Sequence, residues 1–166
     1  TDSGGNQDID YGGWFAARPG QVFYVEVWAR YDAASVTQNG YINFGIHFQT
    51  ATTVNSWPGI RLNLSDLPTD NTWKKFSGYI SAPDNASRGI FWMSVPQTAV
   101  NLQGTSLLID DVFVSDSTDG YNAQQAANAN STAISSLQST VSQQGANISS
   151  QGSSITSLTN GLETAN

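Results

Sequence analysis

The sequence predicts an all-β sandwich or jelly roll followed by a C-terminal α-helical coiled coil, and three observations predict it. All five Trp, all seven Phe and all five Pro fall in the first 118 residues. Within that region apolar and polar residues alternate with a period of two, between turns rich in Gly, Pro and Asn, as in half-buried strands. Beyond Tyr121 the period changes to seven, and the composition narrows to Ser, Gln, Asn, Ala and Thr, with Glu163 as its one charge. The expected units are residues 1–118 and 119–166, with the change of grammar at residues 115–121.

The clearest strand is residues 22–30. Phe23, Val25, Val27 and Ala29 fall on one face, and Tyr24, Glu26, Trp28 and Arg30 on the other. Residues 41–49 repeat the device, with Ile42, Phe44, Ile46 and Phe48 inward against Tyr41, Asn43, Gly45, His47 and Gln49 outward. Further strands are expected at residues 60–64, 74–81, 89–95 and 107–115. Turns are expected at Arg18-Pro19-Gly20, Gln38-Asn39-Gly40, Trp57-Pro58-Gly59 and Ala82-Pro83-Asp84.

In the second region Ile134, Val141, Ile148, Ile155 and Leu162 recur every seventh residue, position a of a heptad, and Leu137, Gln144, Gln151 and Leu158 fill position d. A strict seven-residue repeat specifies a left-handed coiled coil. Two Gln at central d positions must satisfy their amides within the seam, which three chains around an axis allow, so a parallel homotrimer is expected. The flanking e and g positions carry no charge, so ion pairs do not choose the partner. Gly145, Gly152 and Gly161 each cost about 1 kcal/mol against Ala in a helix, which makes the isolated stalk marginal.

Thirteen acidic residues against six basic ones give a net charge of −7, and the cations are scattered, which argues against a nucleic-acid partner. With no Cys and His47 as the one histidine, neither a disulfide framework nor a zinc site is expected. No apolar run approaches the ~20 residues of a membrane helix, so no membrane insertion is expected. Thr1–Gly5 look like a cut made inside a longer polypeptide. Glu26 is the one Glu before the stalk, and no motif pairs it with a second acid, so no enzyme activity is expected.

Three segments carry a resemblance to a known family. Pro19-Gly20-Gln21-Val22-Phe23-Tyr24-Val25-Glu26-Val27-Trp28-Ala29-Arg30, Thr72-Trp73-Lys74-Lys75-Phe76-Ser77-Gly78-Tyr79 running on to Ala82-Pro83, and Leu108-Ile109-Asp110-Asp111-Val112 occur in the order in which jelly-roll carbohydrate-binding modules of cellulases and xylanases carry similar blocks. The resemblance covers roughly residues 14–115; that family's usual first strand, with its Asn-Gly-x-Phe-Glu, is not recognisable before Trp14, so it is missing, divergent or supplied by a preceding segment. Joined to the Ser/Gln-rich heptads, the chain resembles the distal part of a host-specificity tail-tip protein or central tail fibre of a long-tailed phage.

The resemblance implies a non-catalytic module that recognises a bacterial surface polysaccharide or lipopolysaccharide from a virion, linked upstream to other tail proteins. It places the sugar on one sheet face holding Tyr24, Glu26, Trp28, Arg30, Asn43, His47, Gln49 and Trp92, with Trp57 in an adjoining loop. Aromatic faces would pack against the pyranose, and planar polar groups would take its hydroxyls. It assigns Trp73 to the core. It also implies a structural calcium at Asp110 and Asp111, with Asp8 or Asp10 contributing. The alternative is a fibre spacer or trimer clamp that keeps only the fold.

Overall fold

In the computed structural model the described residues are 7–32, 40–50, 55–95 and 106–165. The chain divides into two compact units, Thr1–Thr118 and Asp119–Asn166.

The first unit is a two-sheet β-sandwich. Its strands are β1 (Gln7–Ala16), β2 (Val22–Tyr31), β3 (Tyr41–Thr50), β4 (Asn55–Ser56), β5 (Gly59–Asn63), β6 (Lys74–Ser81), β7 (Ala86–Val95) and β8 (Leu107–Asp116). The larger sheet runs β1-β7-β3-β4 with β5 also on β3, and the smaller runs β6-β2-β8. All pairings are antiparallel.

The two-residue alternation does what it predicts inside. Phe23, Val25, Val27 and Ala29 of β2 face Ile42, Phe44, Ile46 and Phe48 of β3 across one core, joined by Tyr31, Leu62, Leu64 and Ile80. The Tyr31 hydroxyl donates to the Leu64 carbonyl at 2.8 Å, so its burial leaves no orphaned polar atom.

Two strands depart from expectation. A strand precedes Trp14 after all: β1 pairs with β7 from Gln7↔Val95 to Tyr11↔Phe91, then resumes at Phe15↔Gly89. Between these pairs β1 holds Gly12, Gly13 and Trp14 against Ile90 alone, a bulge in which Gly12 takes φ +93°. Interrupted alternation hides this strand from a period-two search.

The segment around Trp57 is also no free loop. Phe48↔Ser56 and Gly45↔Gly59 share one register, so β4 and β5 are a single line along β3, broken where Pro58 lacks an N–H. The turn expected at Gln38-Asn39-Gly40 falls on residues of which Gln38 and Asn39 lie outside those described.

The second unit is one helix, α1 (Thr118–Ala165), with no buried residue. The Asp116 carboxylate accepts from the Thr118 N–H at 3.0 Å and the Thr118 hydroxyl at 2.6 Å, at the point where the strand ends and the helix opens. Ser and Thr hydroxyls along α1 donate to the carbonyl four residues back, as from Ser142 to Gln138 at 2.9 Å and from Ser149 to Gly145 at 3.0 Å. Such bonds satisfy the hydroxyls while slightly weakening the helix. The seam residues Ile134, Leu137, Val141, Ile148, Ile155, Leu158 and Leu162 stand 55–74% exposed within one chain. No described helix is long and apolar enough to cross a membrane.

Candidate functional site

The first structural correction concerns which residues share a face. β2 belongs to the smaller sheet and β3 to the larger, so Tyr24, Glu26, Trp28 and Arg30 look outward on one side of the sandwich, and Asn43, His47 and Gln49 on the other. Neighbouring in sequence, the two strands share a core but no surface.

On the larger sheet the outer face centres on His47, which is 7% exposed. The common register sets Trp57 across from it, and the rings stack at 4.6 Å and 21°. The β1 bulge aims Trp14 at the same ring, edge-on at 5.3 Å. Asp10, two residues before the bulge, places its carboxylate 3.2 Å from His47 Nδ1. Trp14 and Trp57 keep 39% and 46% of their surface exposed, so both offer indole to a ligand.

Arg88 stands opposite Gln49 across β7 and β3. Its Nε and Nη2 donate to Gln49 Oε1, the former at 2.8 Å, while its guanidinium lies 4.4 Å from the Trp14 ring. Towards the other end of β3, Arg61 on β5 pairs across from Asn43 and lies 3.8 Å over the Tyr41 ring.

Trp92 shares this face, yet is 5% exposed and serves as floor. Its indole N–H donates to the Pro58 carbonyl at 3.4 Å, and Gly59 packs on its ring. Gly45 lets this happen: a Cβ there would strike the Pro58 carbonyl oxygen and come within 2.8 Å of Gly59 Cα. The resulting surface is a shelf with two tryptophans standing over a buried imidazole, rimmed by guanidinium, amide and carboxylate.

On the smaller sheet's outer face a hydrogen-bonded network gathers around Glu26. Glu26 accepts from the Tyr24 hydroxyl at 2.6 Å and the Trp28 indole at 3.1 Å, and pairs with Lys75 at 3.3 Å. The Tyr24 hydrogen bond, helped by Trp28 and Lys75 against the opposing effect of burial, holds the Glu26 carboxyl below its ordinary value. Glu26 in turn raises the Lys75 ammonium. Arg30 lies 4.9 Å over the Trp73 ring. Trp73 is 38% exposed, so it belongs to this surface and not to the core, because it continues the outward set Lys75, Ser77 and Tyr79 of β6.

Asp110 pairs across from Trp28 at the edge of a second bulge, where β8 places Asp111 and Val112 opposite Val27 and Asp111 takes φ +48°. Asp110 and Asp111 line a cleft of about 430 Å³ with Ile9, Tyr11, Phe91, Met93, Ile109 and Val112 at the open edge between the sheets. Calcium wants six to eight oxygens. Asp110 Oδ1 already accepts the Asp111 N–H at 2.8 Å, Asp10 is turned to His47, and the side chain of Asp8 lies outside the described residues. Among the described residues no three His, Cys, Asp or Glu side chains gather as a metal would require. The fit to calcium is therefore incomplete.

The sequence pattern did not single out Trp14 or Arg88, and it named Asp10, with Asp8, only as a residue that could contribute to a calcium site. A Gly-Gly-Trp run is the one local signal of the bulge that aims Trp14; nothing local marks Arg88, whose place depends on which strand neighbours β3.

No family model and no curated protein matches the chain. Among solved structures it is similar to the enzymatically active domain of bacteriophage CBA120 tailspike protein 4, at 19% identity and a TM-score of 0.41 over 67% of this chain and 13% of that one. A carbohydrate-binding module described as CBM4 is similar at 20% identity and 0.41, over 67% of this chain and 59% of its own. A family 16 carbohydrate-binding module is similar at 11% identity and 0.41, over 66% and 74%. The chain thus spans less than two thirds of the length of the first two.

Proposed function

We propose that the first unit is a non-catalytic carbohydrate-binding domain of jelly-roll type, and that its site is the shelf on the larger sheet. The observation that carries the proposal is the pair Trp14 and Trp57, exposed on either side of His47, with Arg88, Gln49 and Asp10 beside them. Sugar recognition needs flat apolar faces for the C–H side of a pyranose and planar polar groups for its hydroxyls. Binding rather than cleavage fits the acids: the oxygens of Glu26 are held by Tyr24, Trp28 and Lys75 on the opposite sheet.

The second unit is proposed as a parallel homotrimeric stalk. Seven large apolar side chains exposed along one heptad seam would leave a lone helix marginal, and burial against two further copies removes that exposure from water. Three heads on one stalk make a multivalent binder. By its heptad composition it suits a phage tail fibre or tail tip that attaches the virion to bacterial surface polysaccharide or lipopolysaccharide.

The test is binding to a glycan array and to whole bacterial cells. Trp57→Ala and Trp14→Ala are each expected to lower retention about tenfold, about 1.4 kcal/mol. Undiminished binding by both variants would remove the shelf as the site. A fibre clamp is the second reading, favoured by Tyr79 and Phe113, both more than half exposed on the smaller sheet; protection of these two rings in the trimer would support it.

A further inference from the structure

Resting on the reading of the shelf as a sugar site, we infer that its ligand is an acidic glycan, one bearing carboxylate groups along the polymer. The chain as a whole is strongly acidic, with thirteen Asp and Glu against six Lys and Arg. Two of those six cations, Arg88 and Arg61, lie on the outer side of the larger sheet beside His47.

Neither arginine meets a carboxylate among the described residues. Arg88 lies over Trp14 and donates to the neutral amide of Gln49, and Arg61 lies over Tyr41. Asp10, the described carboxylate of this face, is held by His47 instead. On the opposite sheet Lys75 is paired with Glu26, while Arg30 lies over Trp73.

A guanidinium resting on an aromatic ring is fixed in place and poorly hydrated, and it presents donors in a fork that matches a carboxylate. Arg88 uses Nε and Nη2 on Gln49 and keeps Nη1 without a protein acceptor among the described residues. Beside the exposed indoles it would take the acid group of a sugar packed on Trp14 or Trp57. A neutral glycan would leave that positive charge unanswered.

Arg61 extends the argument along the polymer. Its partner on β3 is Asn43, whereas that of Arg88 is Gln49, so the two stand roughly 20 Å apart at the usual rise of a strand. That distance spans several sugar units, so a chain with repeated acid groups can meet both cations.

The full-length protein should be titrated with oligogalacturonate, alginate and hyaluronan oligosaccharides, each against its carboxyl-reduced counterpart, at low and high salt. For at least one pair the acidic form should bind about tenfold tighter at low salt, with the gap narrowing as salt rises. Arg88→Gln should bring the acidic form to within about twofold of the reduced one, whereas Lys75→Gln should leave the gap intact. Equal binding of acidic and reduced forms, lost in Trp57→Ala, would overturn the acidic ligand while leaving the sugar site standing. An acidic preference unmoved by both Arg88→Gln and Arg61→Gln would overturn it too. No binding across the panel would overturn both this inference and the shelf.

Discussion

Gly45 shows how a single missing atom can hold a site together. The Trp57-Pro58 segment lies so close to β3 that any side chain at Gly45 meets Pro58 and Gly59. Gly45→Ala is therefore expected to destabilise the first unit by about 1–3 kcal/mol and to lift Trp57 off His47, weakening glycan binding together with the midpoint. Calorimetry and binding on one sample check both. Glu26 makes a different statement, about acid. Its carboxyl is lowered beneath the ordinary 4.5, chiefly by Tyr24, so the stabilisation it brings is complete above pH 4.5 and lost as pH falls through the lowered value. In thermal melts below pH 4.5 the wild type should lose stability more steeply than Glu26→Gln. Identical slopes would mean that the Tyr24–Glu26–Lys75 network does not stabilise the fold. The inward residues of β2 and β3 were legible because alternation is a local signal; Trp73 was misplaced because the family resemblance put it in the core, although it has the parity of the outward Lys75, Ser77 and Tyr79.

Elements were legible in proportion to their regularity. β2, β3, β6 and β8 lie within a residue of the segments expected from the pattern; β2, β3 and β6 alternate clearly, and β8 is an apolar run interrupted only by Asp110 and Asp111. β1 was lost to its Gly12–Trp14 bulge, and β4 to its length of two residues. The assignment of β2 and β3 to one face failed for another reason: consecutive strands of a sandwich often cross between sheets, and periodicity reports which residues face inward without saying in which sheet. For α1 the heptad marks both the helix and the stripe it exposes. Ile148→Asp would place a charge at the middle of the proposed seam. Sedimentation is expected to show single chains, while the near-ultraviolet signal of the five Trp, all in the first unit, stays unchanged. A trimer that survives the substitution would mean that the seam lies elsewhere.

For the whole molecule, affinity and valency separate cleanly. At the proposed site, a shelf of two indoles and a few hydrogen bonds would give modest attachment to a single sugar chain. In the proposed trimer, three such shelves would raise retention on a surface by a factor on the order of 10²–10⁴ without any new contact. The monomeric Ile148→Asp protein should therefore bind soluble oligosaccharide as the wild type does, yet wash from a glycan-coated surface faster by about that factor. Equal residence times in surface plasmon resonance would show that the copies do not act together.

The helix carries one further implication. From Tyr121 to its end only Glu163 is charged, and hydroxyls and amides make up the remaining polar surface. Dissolved ions screen charge and have little to act on where none is present. Assembly along such a rod should be indifferent to whether the surrounding fluid is rainwater, gut contents or brine, so that the grip of the heads, and not the integrity of the shaft, would register a change of habitat.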